Sequence, residues 1–498
     1  MSSRAVSALL HFSPVAEQLD VVVIGAGLSG ISAAWHLQRY CPNKTYAILE
    51  RRADLGGTWD LFTYPGVRSD SDMYTFAFRF KPWTRDTTIA EGAVIKAYLR
   101  EAAHEYGIDR HIRYGHRLVA ADWSETAAAW RLTVDRDGAT IEITCNFLFA
   151  CSGYYDHDEG YSPEFPGSED FAGTIVHPQH WPKDLDYTGK KIVVIGSGAT
   201  AMTLVPALSD SGAGHVTMVQ RSPGYIGLLP TVDPRARRLN RILPSRIAAA
   251  ANRWSYILGQ VGVYQASRRF PKLMRKTLMM MAERRLPAGF DVDKHFGPSY
   301  QPWDQRLCLA PDGDLFATIS AGRADVVTDD IETFTPAGIR LSSGEELPAD
   351  LIVTATGLNL RLFGGIEISR DGVPVNLCDT VAYQGMMLSG VPNMAFTVGY
   401  INASWTLKAD LVSESVCRVL NYLDAQGFDT VVAREPEPHV QDRPLVRQDS
   451  GYVQRALSHL PRAGSHRPWR PHENYLLDLA QLRRVRLDDG HLRFTRSG

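Results

Sequence analysis

The chain has 498 residues, 44% of them apolar, and 53 Lys and Arg against 55 Asp and Glu leave a formal net charge of −2. That length suits two or three domains with a large buried core. The near-neutral balance excludes the basic footprint of a nucleic-acid binder, and no run of about 18 apolar residues is present to span a membrane.

In chain order, residues 1–17 carry one arginine and the short stretch Ala5-Val6-Ser7-Ala8-Leu9-Leu10. This is too short and poorly flanked for a secretory signal and reads as an N-terminal extension. The first buried strand, Val21-Val22-Val23-Ile24, runs straight into Gly25-Ala26-Gly27-Leu28-Ser29-Gly30. A glycine-rich turn between strand and helix lets backbone N–H groups and a helix N-terminus hold a pyrophosphate. The arrangement recurs where Ile192-Val193-Val194-Ile195 leads into Gly196-Ser197-Gly198-Ala199-Thr200-Ala201. The next strands of the two units end in opposite chemistry. Counting 25 residues from the first glycine reaches Glu50 behind Tyr46–Leu49, and Arg221 behind Val216–Gln220. A carboxylate accepts hydrogen bonds from free ribose hydroxyls, as in FAD or NAD, and repels a 2′-phosphate. An arginine with Ser222 beside it suits the 2′-phosphate of NADP. Two such loops with matching acceptors predict FAD and NADPH on one chain.

Further buried-strand patterns close on glycine at Asn146–Gly153 and Asp350–Gly357. The expected fold is α/β, with two Rossmann-like dinucleotide-binding domains (for FAD and NADPH) and an inserted helical subdomain. Residues 18–155 form the first part of the FAD domain. Residues 156–350 form the NADPH domain with a helical insertion at 233–300, and 351–498 return to the FAD domain and a C-terminal tail. Phe171–Pro182 would link the two. In the insertion, Ile247, Trp254, Ile257, Leu258, Val261 and Tyr264 fall at helical spacing among many arginines, predicting helices packed over the active site. Its basic, Met-rich stretch Arg268–Arg285 is open to three readings: a solvated face, a hydrophobic substrate mouth, or contact with an anionic membrane surface. The six cysteines at 41, 145, 151, 308, 378 and 417 form no C-x-x-C, against a disulfide framework, a zinc site or the dithiol of a disulfide reductase.

Two longer motifs carry a family resemblance. The segment from Phe171 through Gly173, His177 and Trp181 to Pro182 matches F-x-G-x-x-x-H-x-x-x-W-[PD]. Gly57, Trp59, Tyr64-Pro65-Gly66 and Asp70 match G-x-W-x-x-x-x-[FY]-P-G-x-x-x-D. From Asp20 to Phe494 the chain resembles the Baeyer–Villiger monooxygenases, within the class B flavoprotein monooxygenases. Stretches such as Arg68–Tyr74 and Pro302–Leu309 resemble the ethionamide-activating mycobacterial branch. The resemblance implies an NADPH- and O₂-dependent flavin enzyme that inserts oxygen next to a ketone carbonyl. The ester or lactone would form through a flavin C4a-peroxide, with S-oxidation of thioethers and thioamides as a side activity. Its partners would be O₂ and a small hydrophobic ketone or sulfide, in the cytoplasm.

By the same resemblance Arg306 is the fixed cation that stabilises the peroxyanion, with Asp70 against it at the flavin edge. Gly25, Gly27, Ser29 and Gly30 would take the FAD pyrophosphate, Glu50 its ribose, Leu118 its adenine, and Thr58 and Trp59 the region near the flavin. Gly196, Ser197, Gly198, Ala199, Thr200, Ala201, Met202 and Thr203 would hold the NADPH pyrophosphate, and Arg221 with Ser222 its 2′-phosphate. Arg68, Ser69 and Asp70 would approach the nicotinamide. Gln305 departs from the family, many of whose members carry a lysine there as a second phosphate ligand. His177 and Trp181 are assigned to domain hinging; with Pro178 between His177 and His180 and no third ligand nearby, no metal is expected. Gly399–Thr406 would form part of the substrate wall, with Trp405 either in that wall or plain core. Two other functions stay open: an N- or S-hydroxylating flavin monooxygenase, and a non-oxygenating FAD/NADPH reductase or redox sensor.

Overall fold

The computed structural model describes residues 17–496 apart from Arg306, Pro438, His439, Gln441, Arg447 and Val485. The predicted extension thus lies outside the described residues up to Glu17, which already opens a strand. That strand, Glu17–Ile24, pairs in parallel with Tyr46–Leu49 on one side and Ala139–Ala150 on the other. Ile112–Arg113 and Met394–Phe396 extend the parallel core outward. Val21, Val22 and Val23 are wholly buried because helices and sheet cover both faces, which is why the strand reads as an unbroken apolar run. The first half of Ala139–Ala150 instead joins an antiparallel meander with Ala129–Arg136 and His116–Ser124.

The second sheet holds Ala324–Thr328, His215–Gln220, Lys191–Ile195, Leu351–Thr354 and Thr174–Val176, all parallel. This moves one boundary. Leu351–Thr354, assigned from sequence to the returning half of the first domain, pairs with Lys191–Ile195. A short strand buried on both faces has no alternation to say which sheet it joins, so only its tertiary partner decides. The linker segment Phe171–Pro182 likewise contributes the edge strand Thr174–Val176.

The two crossings between the domains, Tyr155–Gly160 and Leu358–Leu360, pair with each other as an antiparallel ribbon. His177 sits against both. A Cβ on Gly160 would lie 2.0 Å from the His177 ring, so that glycine admits the imidazole. His177 Nδ1 accepts from the Gln179 N–H, which leaves its other nitrogen to donate to the Gly357 carbonyl at 3.3 Å. Burial holds this histidine below its ordinary pKa.

The insertion folds as helices Pro234–Ile242, Ser245–Arg269, Pro271–Glu283 and Val292–Phe296. Its first two helices pack on the outside of the first domain, its last two bury Ala282 and Phe296 against the second, and no residue of the four lines the cavity described below. Its anchor is Arg253, whose guanidinium donates to the carbonyls of Tyr74, Thr75 and Ala77 and lies 3.6 Å from Asp410. Of the apolar positions that predicted the packing, Ile257 is buried whereas Ile247, Trp254 and Leu258 face solvent. The helical period was correct, but it marked an outer stripe.

Candidate active site

A cavity of about 940 Å³ opens between the two domains, at the upper end of the range for small-molecule sites. Ile24 and Leu49 of the first sheet and Ile195 and Val219 of the second reach it with their strands' C-terminal ends. Open parallel sheets bind ligands at those ends.

In the first loop, Gly25 has φ +96° and a Cβ there would meet the Cys151 carbonyl at 3.1 Å. A Cβ on Gly30 would lie 1.9 Å from the Gly25 carbonyl, so Gly30 serves the packing of helix on turn and lies behind the cavity wall. Gly27 and Gly57 face each other closely and both line the cavity, forming a floor without side chains. The helix Leu28–Tyr40 starts from Gly27 with no side chain capping it, so its first N–H groups are available to an anion. Ala199–Asp210 likewise starts uncapped from Gly198, and a Cβ on Gly198 would touch nothing within 4 Å. Gly196, Ser197, Ala199, Thr200, Met202 and Thr203 line the cavity with it; Ala201 is buried behind them.

Glu50 is 4% exposed and borders the cavity. Burial pushes its carboxyl up, while hydrogen bonds from the backbone N–H groups of Ala26 and Arg52, both 2.8 Å, pull it down. Each oxygen accepts one of these bonds and keeps capacity for a hydroxyl donor. Arg221 and Ser222 are exposed at the other end, and Ser197 Oγ donates to the Ser222 carbonyl at 2.9 Å. The residues thus fit two dinucleotides: two uncapped helix starts for pyrophosphates, a carboxylate acceptor in one half and a guanidinium in the other.

Thr58, Trp59, Leu118, Arg68, Ser69 and Asp70 all line the same cavity. Two of them are also engaged elsewhere. Arg68 Nη1 lies 2.7 Å from Asp314 of the second domain, a partner too distant in sequence to be anticipated. Ser69 turns its hydroxyl on its own loop, donating to the Ser71 carbonyl and accepting from the Ser71 N–H. Asp70 is half-buried near Tyr64, whose hydroxyl is within hydrogen-bonding reach of Thr200 and Thr203. Arg306 lies outside the described residues; its neighbours Gln305, Cys308 and Leu309 line the cavity.

Trp405 belongs to the wall: its indole N–H donates to Ser29 Oγ at 2.8 Å, and its ring packs on Tyr154 at 5.1 Å. Behind it, Tyr400 and Lys408 converge on Asp478 at 2.8 and 2.7 Å. Two contributors, Arg455 and Tyr161, were missed from sequence, and Gly66 was quoted only as part of a motif. Gly66 has φ +79°, and a Cβ there would lie 2.4 Å from the Thr203 carbonyl, so the Tyr-Pro-Gly motif marks where the domains touch. Arg455 stacks on Tyr161 at 3.4 Å across the cavity's outer end, a pairing that no local pattern signals.

The NAD(P)-binding Rossmann-like domain family matches residues 23–86. The FAD-containing monooxygenase EthA of Mycolicibacterium smegmatis is 61% identical over 96% of this chain and 98% of that protein. EthA of Mycobacterium tuberculosis is 60% identical with the same coverage. The chain belongs to the FAD-containing monooxygenases. Among solved structures, this monooxygenase is similar to oxidized steroid monooxygenase bound to NADP, with TM-score 0.75 and 22% identity over 96% of this chain and 100% of that one. Cyclohexanone-bound cyclohexanone monooxygenase follows it with TM-score 0.70 and 20% identity over 85% and 90%. These neighbours are Baeyer–Villiger monooxygenases, and the FAD-containing monooxygenase described here shares their fold of two Rossmann-like domains.

Proposed function

We propose that this FAD-containing monooxygenase uses NADPH and O₂ to convert a small hydrophobic ketone into an ester or lactone. One oxygen atom enters beside the carbonyl carbon, the other leaves as water, and NADPH with a proton supplies the two electrons. The observation that carries this reading is that both nucleotide loops, Glu50 and Arg221 open on one cavity that Asp70 and Gln305 also line. The flavin supplies the redox chemistry and the activation of O₂ when bound.

The chain's own residues do the rest. Gly27, Ser29 and Glu50 hold one dinucleotide, and Gly198, Thr200 and Arg221 the other. Arg306 presents a cation that cannot lose its proton in a dry pocket, where it stabilises negative charge developing on oxygen. Asp70 orients that guanidinium. Trp405 and Tyr154 exclude water from the reacting face. Thioethers and thioamides, whose sulfur is electron-rich, are secondary substrates.

The test compares wild type with Arg306→Ala on a panel of small ketones including cyclohexanone and on a small thioether, following ester, sulfoxide, NADPH and hydrogen peroxide. Wild type is expected to yield one ester per NADPH. Arg306→Ala should still oxidise NADPH but release the oxygen as hydrogen peroxide. Ester from Arg306→Ala at the wild-type rate would sink the mechanism. Sulfoxide without ester from wild type would favour the S-hydroxylating reading, and peroxide alone the reductase.

A further inference from the structure

The insertion leaves an unusual surface. Among the described residues, 14 large apolar side chains are exposed, and eight of them lie between Ile242 and Met280. Ile247, Trp254 and Leu258 stand seven and four residues apart on the 25-residue helix, so they share one face. That face is opposite the buried side of Ala248, Ala249 and Asn252. Phe270, 59% exposed, makes the corner, and Leu273 and Met280 continue along the next helix, seven residues apart. Exposed apolar residues scattered singly need no explanation, but a contiguous stripe marks a docking surface.

The charge around the stripe says what it docks on. From Pro234 to Arg285 the chain carries 13 Arg and Lys and one carboxylate, Glu283. Arg235, Arg237, Arg253 and Arg268 are spoken for by Asp233, Asp86, Asp410 and Asp304. Arg246, Arg269, Lys272 and Lys276 are exposed beside the apolar stripe and have no carboxylate partner among the described residues. A second copy of the same face would set cation against cation. An anionic lipid headgroup layer complements the charges while its acyl boundary takes the apolar side chains, as for interfacial amphipathic helices.

We infer that the outer face of this insertion docks on an anionic phospholipid bilayer, through Ile247, Trp254, Leu258, Phe270 and Leu273 with flanking Arg246, Arg269, Lys272 and Lys276. Contact is at the interface, since among the described residues no helix is long and apolar enough to cross a membrane. The docked helix also touches the cavity's rim: Arg268 lies 2.7 Å from Asp304 and Tyr264 packs on Trp303, next to the lining residue Gln305. The inference does not depend on which substrate the cavity takes.

The test is flotation of the full-length, FAD-loaded protein with vesicles of equal parts phosphatidylglycerol and phosphatidylcholine, and with phosphatidylcholine alone. Wild type is expected to float with the anionic vesicles only, and less so in high salt. Combining Arg246→Glu, Arg269→Glu, Lys272→Glu and Lys276→Glu should lower partition by about a hundredfold or more. Leu258→Ser with Leu273→Ser should lower it by about tenfold or more. Both variants should keep wild-type FAD content and NADPH oxidation in solution. No binding by wild type, equal binding to the neutral vesicles, or variants that bind like wild type would overturn the inference. A dimer in sedimentation that Leu258→Ser with Leu273→Ser dissolves would also overturn it, giving the face to a second copy.

Discussion

Asp72 offers a sharp test of the physics beneath the cavity. Its side chain is 2% exposed, and burial pushes its carboxyl up to about 6 from 3.8. Thr75 N–H and Oγ1 and Gln260 Nε2 donate to it at 2.8, 2.7 and 2.5 Å and partly offset that penalty. The folded state therefore holds a proton that the unfolded chain releases. This group's contribution to stability is complete below about pH 4, and it is lost as pH rises through about 6. At 1.36 kcal/mol per pKa unit the carboxylate destabilises the folded protein by about 3 kcal/mol at neutral pH.

Asp72→Asn removes the charge and keeps an oxygen for the Thr75 N–H. Its new amide can donate to Gln260 Oε1, a buried acceptor without a partner, once the Gln260 amide turns over. The variant is expected to be more stable than wild type by about 3 kcal/mol at pH 7.5 and by about half that at pH 5, where most of the folded wild type is already protonated but the unfolded chain is not. Urea unfolding of the FAD-loaded proteins at the two pH values measures both gains. A variant less stable than wild type at pH 7.5, or a gain that does not change with pH, would refute the reasoning.

Glu50→Ala should leave the Ala26 and Arg52 N–H groups unpaired and remove the ribose acceptor, weakening FAD binding by about tenfold to a hundredfold; the visible-to-ultraviolet absorbance ratio of the purified protein reads it. Arg221→Ala should raise KM for NADPH by about tenfold or more, with kcat and KM for NADH little changed, because only the 2′-phosphate loses its partner. Gln305, standing where many family members carry a lysine, has no charge to offer the 2′-phosphate in its place. Gly66→Ala must place a Cβ at a left-handed φ and 2.4 Å from the Thr203 carbonyl, so the domains must separate by about an ångström. Anaerobic reduction of the flavin by NADPH should slow by about a hundredfold in stopped flow, with FAD content retained; a wild-type rate would mean that the junction does not position the nicotinamide.

Much of the site was legible because its chemistry is local. Gly25, Gly27, Gly196 and Gly198 are demanded by strand-to-helix turns a few residues long, and Glu50 and Arg221 close the very next strands. The periodicity of the insertion was equally plain, yet Ile247, Trp254 and Leu258 point outward. A period says that residues share a face, and it leaves open which partner, core or membrane, covers that face. Gly66 was quoted as part of a motif, but its reason is the Thr203 carbonyl of the other domain.

The sequence by itself determined the two dinucleotide loops, the helices that follow them and the contrast between acid and arginine, since each depends on residues within one βαβ unit. Only the tertiary structure decided that Leu351–Thr354 joins the second sheet, that Arg68 pairs with Asp314, that His177 fastens the ribbon between the domains, and that both loops share one cavity. Those outcomes are contacts between segments far apart in the chain. Buried strands and single charges carry no address for such partners until packing brings them together.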